Sequence, residues 1–199
     1  MTNKRHRVVM GGPDEAGDQW LSCAIEQGLK SSIHCVSDGA KWIANQTDRI
    51  FADQGTFLVD FYHLCEYLAE AASECVGNDE KTCKKWVEQQ KTRMKTNNGA
   101  SVLSELEPYR NGKPGKEANK SEECHRYIRN RPGQFDYSGA ESSNLPIGSG
   151  EIESSNRSVV QTRLKLPGAW WKPENAFSML SLRTLRANGG WDSYWQAAV

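Results

Sequence analysis

Apolar residues follow two different spacings in the first 76 residues of the chain. Residues 13–29 carry them three and four positions apart, which is the spacing of an amphipathic helix. Two short apolar runs, IHCVS at Ile33–Ser37 and TFLVD at Thr56–Asp60, are typical of β-strands. Helical spacing returns at residues 40–51 and 62–76. The order helix–strand–helix–strand–helix predicts an α/β unit with two neighbouring strands.

The rest of the chain shows helical spacing only, so the protein as a whole is predicted to be helix-dominated. The predicted helices of this part span residues 79–95, 99–107, 121–130, 151–166, 173–187 and 191–196. A polar linker at Arg110–Lys120 and a Gly- and Ser-rich loop at residues 135–150 separate some of them. We therefore divide the chain into an α/β core at residues 8–76, a helical insertion at residues 77–146 and a final set of helices at residues 147–199.

Composition and charge argue against some classes of protein without assigning one. The 199 residues hold 25 Lys and Arg side chains against 25 Asp and Glu, so net charge alone does not indicate a nucleic-acid partner. A local basic patch can still bind a polyanion in such a chain. The six cysteines contain no CxxC pair and are expected to be reduced thiols. Since no stretch approaches the roughly 20 apolar residues of a membrane span, we expect a cytoplasmic protein.

Three candidate site residues follow the two predicted strands. Asp38 stands directly after the first strand, and sites in α/β sheets gather at the carboxyl ends of the strands. Asp60 and His63 follow the second strand three residues apart, so the carboxylate can orient the imidazole by accepting its ring N–H. The alternative is local: each aspartate caps the helix that follows it, and His63 finds a partner nearby.

The segment IGSGEIESSNRSVVQTRLK, residues 147–165, supplies the remaining candidates. Glu151 and Glu153 lie in the first turn of a predicted helix. The basic residues behind them are Arg157, Arg163 and Lys165. These bases make the helix a candidate for phosphate contacts, although acids at a helix start and bases at its end also match the helix dipole. Trp170 and Trp171 follow, as rings that either stack on bases or pack in the core.

Carboxylates placed at strand and helix ends, with bases behind them, suit phosphoryl transfer assisted by divalent metal ions. Carboxylate oxygens bind Mg²⁺, and a pair of such ions activates a water and stabilises the leaving oxygen. Asp38 and Glu153 are the two acids with the right context. A two-metal site needs about three or four acidic ligands, and no third acid in this sequence has a matching strand context.

Four blocks, taken in order, resemble bacterial insertion-sequence transposases of the DDE type, and most of all the Kra-like group, which is related to Mutator-like transposases. The blocks are CVSDGAKWI, LVDFYHLCEYL, IGSGEIESSNRSVVQTRLK and WWKPENAFSMLSLRTLRANGGWDSYW. Together they cover most of residues 31–195. Each block is only weakly specific by itself, whereas their order and spacing make the resemblance fairly specific.

The resemblance implies a fold and a metal site. The fold is RNase H-like, and this chain would hold its C-terminal strands and helices around an all-helical insertion. An acidic triad would bind Mg²⁺ or Mn²⁺, with Asp38 as one ligand. Glu153 matches the catalytic glutamate in its I-E-S-x-N setting and is preferred over Glu151. Asp60 and His63 match a D-x-x-H signature and would support the site.

The resemblance also implies DNA as substrate and partner. The intact enzymes cut DNA strands at transposon ends and join them to target DNA by metal-dependent phosphoryl transfer. The expected DNA contacts in this chain are Arg157, Arg163, Lys165, Trp170 and Trp171. When bound to DNA, the protein would be associated with the nucleoid.

One element of the transposase pattern has no counterpart here, since nothing before Asp38 resembles the first aspartate of the triad. We therefore expect the C-terminal part of a DDE transposase, with little or no activity alone. The alternative is a non-catalytic DNA-binding or regulatory remnant, which would pair with a full-length transposase or with a second copy of itself. A third possibility is a poorly folded fragment with an exposed strand edge.

Overall fold

The computed structural model describes residues 5–28, 32–111 and 118–197. These residues belong to two compact units. One comprises residues 30–149 and contains both strands, and we call it the strand unit. The other combines residues 1–29 with residues 150–199, and we call it the terminal unit. Part of the predicted Arg110–Lys120 linker, residues 112–117, lies outside the described residues.

The described residues form a helix-dominated α/β protein, which confirms the predicted class at this level. The strands are β1 (Ile33–Ser37) and β2 (Gly55–Val59). The α-helices are α1 (Pro13–Glu26), α2 (Lys41–Phe51), α3 (Phe61–Val76), α4 (Glu80–Lys95), α5 (Gly99–Leu106), α6 (Lys120–Arg129), α7 (Tyr137–Ser142), α8 (Gly150–Ser155), α9 (Thr162–Leu164), α10 (Pro173–Ala187) and α11 (Trp191–Ala197). Short 3₁₀ turns occur at Ala52–Gln54 and Glu107–Tyr109, and a π-helical segment at Asn156–Gln161.

The two strands pair in parallel, as their separation by a helix predicts. The register runs from Ile33 opposite Gly55 to Ser37 opposite Val59. Parallel strands end at the same edge of a sheet, and a hydrogen bond closes the pair there: the Asp60 N–H donates to the Ser37 carbonyl at 2.6 Å. Asp38 and Asp60, the residues that follow β1 and β2, are therefore neighbours.

The core of the strand unit joins β2 to helices that were predicted to form a separate insertion. One cluster of buried side chains takes Leu58 and Val59 from β2 and six residues from α3. The same cluster includes residues of the later helices α4 to α7, namely Trp86, Met94, Val102, Leu106, Cys124, Tyr127, Ile128, Tyr137 and Ala140. Residue 76, one predicted segment boundary, thus lies inside a compact unit, because the helices after it bury their apolar faces against β2 and α3. The predicted boundary after residue 146 lies close to the division between residues 149 and 150.

The terminal unit is built from α1 and α8 to α11 around a small set of buried residues. These are Gly17, Ala24, Val159, Ala176 and Leu180. The helix predicted at residues 151–166 is present at residues 150–164, but its middle turn is π-helical. The Arg183 guanidinium donates to the carbonyls of Ser158 and Val159 in that turn. Arg183 therefore supplies side-chain donors to two consecutive carbonyls of the π-helical turn.

One helix of the strand unit was not predicted. Residues 135–150 were expected to form an irregular loop, and α7 (Tyr137–Ser142) lies within them. The Asp136 side chain caps this helix by accepting the Gly139 N–H at 2.9 Å. Tyr137 is fully buried and packs against Phe61 with ring centroids 5.0 Å apart. Tertiary burial of one aromatic ring therefore fixes a turn whose Gly and Ser content gave no helical signal.

Candidate functional site

Asp38 presents an exposed carboxylate at the carboxyl end of β1. Its Oδ1 accepts the Ala40 N–H at 3.0 Å, which closes a tight turn over Gly39. Ala40 is itself the N-cap of α2, and no side chain caps that helix within the described residues. Asp38 thus shapes the turn before α2 without capping its first-turn N–H groups, and its carboxylate stays in solvent.

Asp60 has the opposite environment, since it is 5% exposed and its carboxylate accepts four hydrogen bonds. Oδ1 accepts the backbone N–H groups of Tyr62 at 2.7 Å and His63 at 3.2 Å, which caps α3. Oδ2 accepts the Ser149 N–H at 2.7 Å and also the Ser149 hydroxyl. Asp60 therefore ties the start of α3 to the residue immediately before α8.

The hydrogen bonds of Asp60 keep it ionised. Burial alone raises the pKa of this carboxyl, because a buried charge is poorly solvated. The hydroxyl and N–H of Ser149, with the N–H groups of His63 and Tyr62, outweigh burial and hold the pKa of Asp60 below its usual value. Both oxygens are already occupied, so Asp60 acts as a structural acceptor rather than a residue open to a ligand.

His63 lies beside Asp60, but the Asp60 carboxylate does not contact its imidazole ring. The ring Nδ1 pairs with Glu66 Oε2 at 3.0 Å, and only the backbone N–H of His63 bonds to Asp60. The prediction that Asp60 orients the imidazole is therefore wrong, and the local alternative describes this pair. The ring of His63 instead contacts the edges of Tyr67 and Tyr127, with centroids 5.5 and 5.9 Å away.

Two residues of α6 and the turn after it complete the surroundings of Asp38, and sequence reasoning did not assign them to the site. The Tyr127 hydroxyl donates to the Asp38 carbonyl at 2.7 Å. The Arg131 Nε donates to the Gly39 carbonyl at 2.8 Å, and its guanidinium lies 3.9 Å from the centroid of the Tyr127 ring. No local sequence pattern links Arg131 to a residue 92 positions earlier.

Glu153 and the predicted DNA contacts lie in the terminal unit. Glu153 is exposed in the short helix α8. The exposed bases of the following turns are Arg157, Arg163 and Lys165. Trp170 is 96% exposed, whereas Trp171 is half-buried with the Arg163 guanidinium 5.9 Å from its ring centroid. Glu153 is thus followed by a solvent-facing set of bases with one fully presented aromatic ring.

Asp38 and Asp60, which follow the two strands, differ in how well they could bind a metal ion. Mg²⁺ keeps several waters and commonly uses one or two protein carboxylates, together with phosphate oxygens of a substrate. The exposed carboxylate of Asp38 fits such a role, and the fully engaged carboxylate of Asp60 does not. Among the described residues, no group of three or more His, Cys, Asp or Glu side chains is arranged to hold a metal ion.

The fold and this edge define a helix-rich α/β protein with an exposed carboxylate at the end of a parallel strand pair. The chain belongs to the family described as Uncharacterised protein family (UPF0236), whose model matches residues 2–196. No curated protein and no solved structure matches the chain. In the described ranges, no helix has both the length and the apolar character needed to cross a membrane.

Proposed function

We propose that this chain forms part of a DDE-type transposase with an RNase H-like core, which cuts and joins DNA at transposon ends by metal-dependent phosphoryl transfer. Asp38 and Glu153 are the proposed ligands of Mg²⁺ or Mn²⁺ in this site. The observation that carries the proposal is the exposed Asp38 carboxylate at the carboxyl edge of a parallel strand pair. Ligands in open α/β sheets bind at that edge.

The contacts of Asp60 support the same proposal. Asp60 follows the strand beside β1, and its carboxylate holds Ser149, the residue that precedes α8. Asp60 therefore holds the last residue of the strand unit, and Glu153 follows that residue by four positions in the sequence. Asp60 and His63 take supporting roles in this proposal: Asp60 as the anchor and His63 as a member of the aromatic cluster with Tyr127.

The chemistry expected of the residues is limited and specific. A bound divalent ion supplies an activated water and stabilisation of the leaving oxygen. Asp38 and Glu153 would each supply a negative oxygen ligand. Both residues are exposed, so each carboxylate would leave room for phosphate oxygens of DNA beside a bound ion. Two acids are fewer than the three or four of a complete two-metal site, so we expect weak metal binding and little cleavage by this chain alone.

Iron-directed cleavage tests whether the two acids share an ion. Fe²⁺ with ascorbate and peroxide produces radicals that cut the backbone close to the bound metal. We expect cuts near residues 38 and 153 that excess Mg²⁺ suppresses, and we expect Asp38→Asn and Glu153→Gln each to reduce both cuts. The matched control is Glu151→Gln, two residues from Glu153, which should leave the cuts intact. Cutting near residue 38 that is unaffected by Glu153→Gln would refute a shared site.

A DNA-binding role without catalysis is the second candidate, and the exposed residues after Glu153 favour it. Arg157, Arg163 and Lys165 face solvent, and Trp170 presents nearly its whole ring. Such residues bind phosphates and stack on bases. In this role the chain acts in the cytoplasm on nucleoid DNA, alone, as a homo-oligomer or with a full-length transposase.

Salt titration of DNA binding tests this second role. Each phosphate contact that is lost lowers the slope of log K against log salt by about 0.9 for duplex DNA. Arg163→Ala should therefore reduce the slope by about 0.9 on a 30-base-pair duplex, while Lys84→Ala, an exposed lysine of the strand unit paired with Glu80, should not. Equal slopes for both variants would exclude Arg163 as a contact.

A further inference from the structure

The turn that carries Asp38 is held from one side by a pair of residues 89 and 92 positions later in the chain. Tyr127 donates its hydroxyl to the Asp38 carbonyl, and Arg131 donates its Nε–H to the Gly39 carbonyl. Two consecutive carbonyls of the turn thus accept hydrogen bonds from the end of α6 and the residues after it. Gly39, at the centre of this turn, is buried, while Asp38 is exposed.

The holding pair is itself braced. Arg131 Nη1 donates to the Tyr127 carbonyl at 2.9 Å, and the guanidinium stacks over the Tyr127 ring. On its other side the Tyr127 ring stacks on Tyr67, with centroids 4.1 Å apart and an interplanar angle of 18°. Burial raises the pKa of Tyr127, so its hydroxyl stays protonated and remains a donor.

Gly39 shows how closely the pair approaches the turn. Its φ is +81°, a conformation that favours glycine. A Cβ at this position would lie 2.6 Å from Arg131 Nε and 3.1 Å from the Tyr127 hydroxyl oxygen. The turn therefore has no space for a side chain at residue 39 beside the pair that holds it.

We infer that Tyr127 and Arg131 are positioning residues that fix the Asp38 carboxylate at the strand edge. The inference rests on the proposed function in assigning a metal to Asp38. Its structural content, that the two side chains hold the turn, can be measured separately. In this arrangement α6 and the turn after it complete the core and also supply Tyr127 and Arg131, which fix the orientation of Asp38.

Backbone relaxation of the ¹⁵N-labelled full chain tests whether Tyr127 and Arg131 hold the Asp38 turn rigid. In the wild type, the Asp38 and Gly39 amides should be rigid, with order parameters of about 0.85. Tyr127→Phe and Arg131→Lys should each lower them toward about 0.6. The matched control is Tyr67→Phe, which alters the neighbouring ring of the same stack without touching the turn. Unchanged order parameters in both test variants would overturn the inference.

Mn²⁺-induced line broadening in the same samples tests whether Asp38 binds a metal ion and whether Tyr127 and Arg131 position it to do so. We expect broadening near residue 38 that disappears in Asp38→Asn, and an apparent affinity about tenfold weaker in Tyr127→Phe than in Tyr67→Phe. Broadening that persists in Asp38→Asn would show that Asp38 does not bind the Mn²⁺. In that case the relaxation measurement alone would decide whether Tyr127 and Arg131 hold the turn. Wild-type Mn²⁺ affinity in both Tyr127→Phe and Arg131→Lys would refute positioning of the acid for a metal.

Discussion

Replacement of Asp60 should expose how strongly one buried carboxylate supports the strand unit. Asp60→Ala removes the N-cap of α3, a loss of about 1 kcal/mol. It also leaves the Ser149 N–H and hydroxyl without their charged acceptor, which costs about 1–3 kcal/mol because these donors are part-buried. We expect the free energy of unfolding to fall by about 3 kcal/mol in total.

Urea unfolding followed by circular dichroism measures this loss, with two comparison variants. Asp79→Ala removes another helix cap, whose contacts are confined to Thr82 on an exposed surface, and should cost clearly less. Ser149→Ala removes only the hydroxyl. The double variant Asp60→Ala/Ser149→Ala should be less destabilised than the sum of the single variants, because the two residues act on each other. Strict additivity would show that the bond between them contributes nothing.

The pH dependence gives an independent check on the same carboxylate. The pKa of Asp60 is lower in the folded protein than in the unfolded chain, where it is about 3.9. Its stabilisation is therefore complete above that value and is lost as the pH falls through the folded pKa. The difference between wild type and Asp60→Ala should shrink on acidification. A loss for Asp60→Ala at pH 7 no larger than that for Asp79→Ala, or a difference that does not vary with pH, would refute the reasoning.

Two further predictions concern other parts of the strand unit. Gly39→Ala should destabilise it by about 1–3 kcal/mol in urea unfolding because of the positive φ, and more than Gly133→Ala, since Gly133 has φ +76° but open space around its Cβ position. Equal losses would show that the contact with Arg131 is unimportant. For His125, burial and the Arg110 guanidinium lower the pKa despite the opposing Glu107 carboxylate. Stability should therefore fall as the pH drops below about 6.5, and His125→Gln should reduce that slope; an unchanged slope would contradict the assignment.

Local sequence predicted the elements near the site closely. The predicted strand at Ile33–Ser37 has the observed bounds, and the run at Thr56–Asp60 is displaced by one residue from β2. The signals that predict these elements come from residues within about four positions of one another. Residues three or four apart share one face of a helix, and residues two apart share one face of a strand. The position of Asp38 at a strand end could therefore be predicted from its neighbours alone.

The sequence predicted one of the two roles of Asp60, the capping of α3, and not its bond to Ser149. A residue of its type before a helix predicts a cap, and the bonds to Tyr62 and His63 are those of a cap. The second oxygen binds Ser149, 89 positions away, and nothing in the spacing of either segment indicates it. The expected bond to the His63 ring was wrong because Glu66, one helical turn further along, lies closer to that ring.

By itself, the sequence determined the order of helices and strands, the helix-dominated class, and the two acids that end β1 and β2, since each depends on residues a few positions apart. Only the tertiary structure decided that the helices after residue 76 share one core with β2, that Asp60 binds Ser149, and that Tyr127 and Arg131 hold the Asp38 turn. The three hydrogen-bonded contacts join residues 89 to 92 positions apart, and the shared core also joins segments distant in the sequence. Burial of shared apolar surface brings them together, and no short-range pattern records which surfaces will meet.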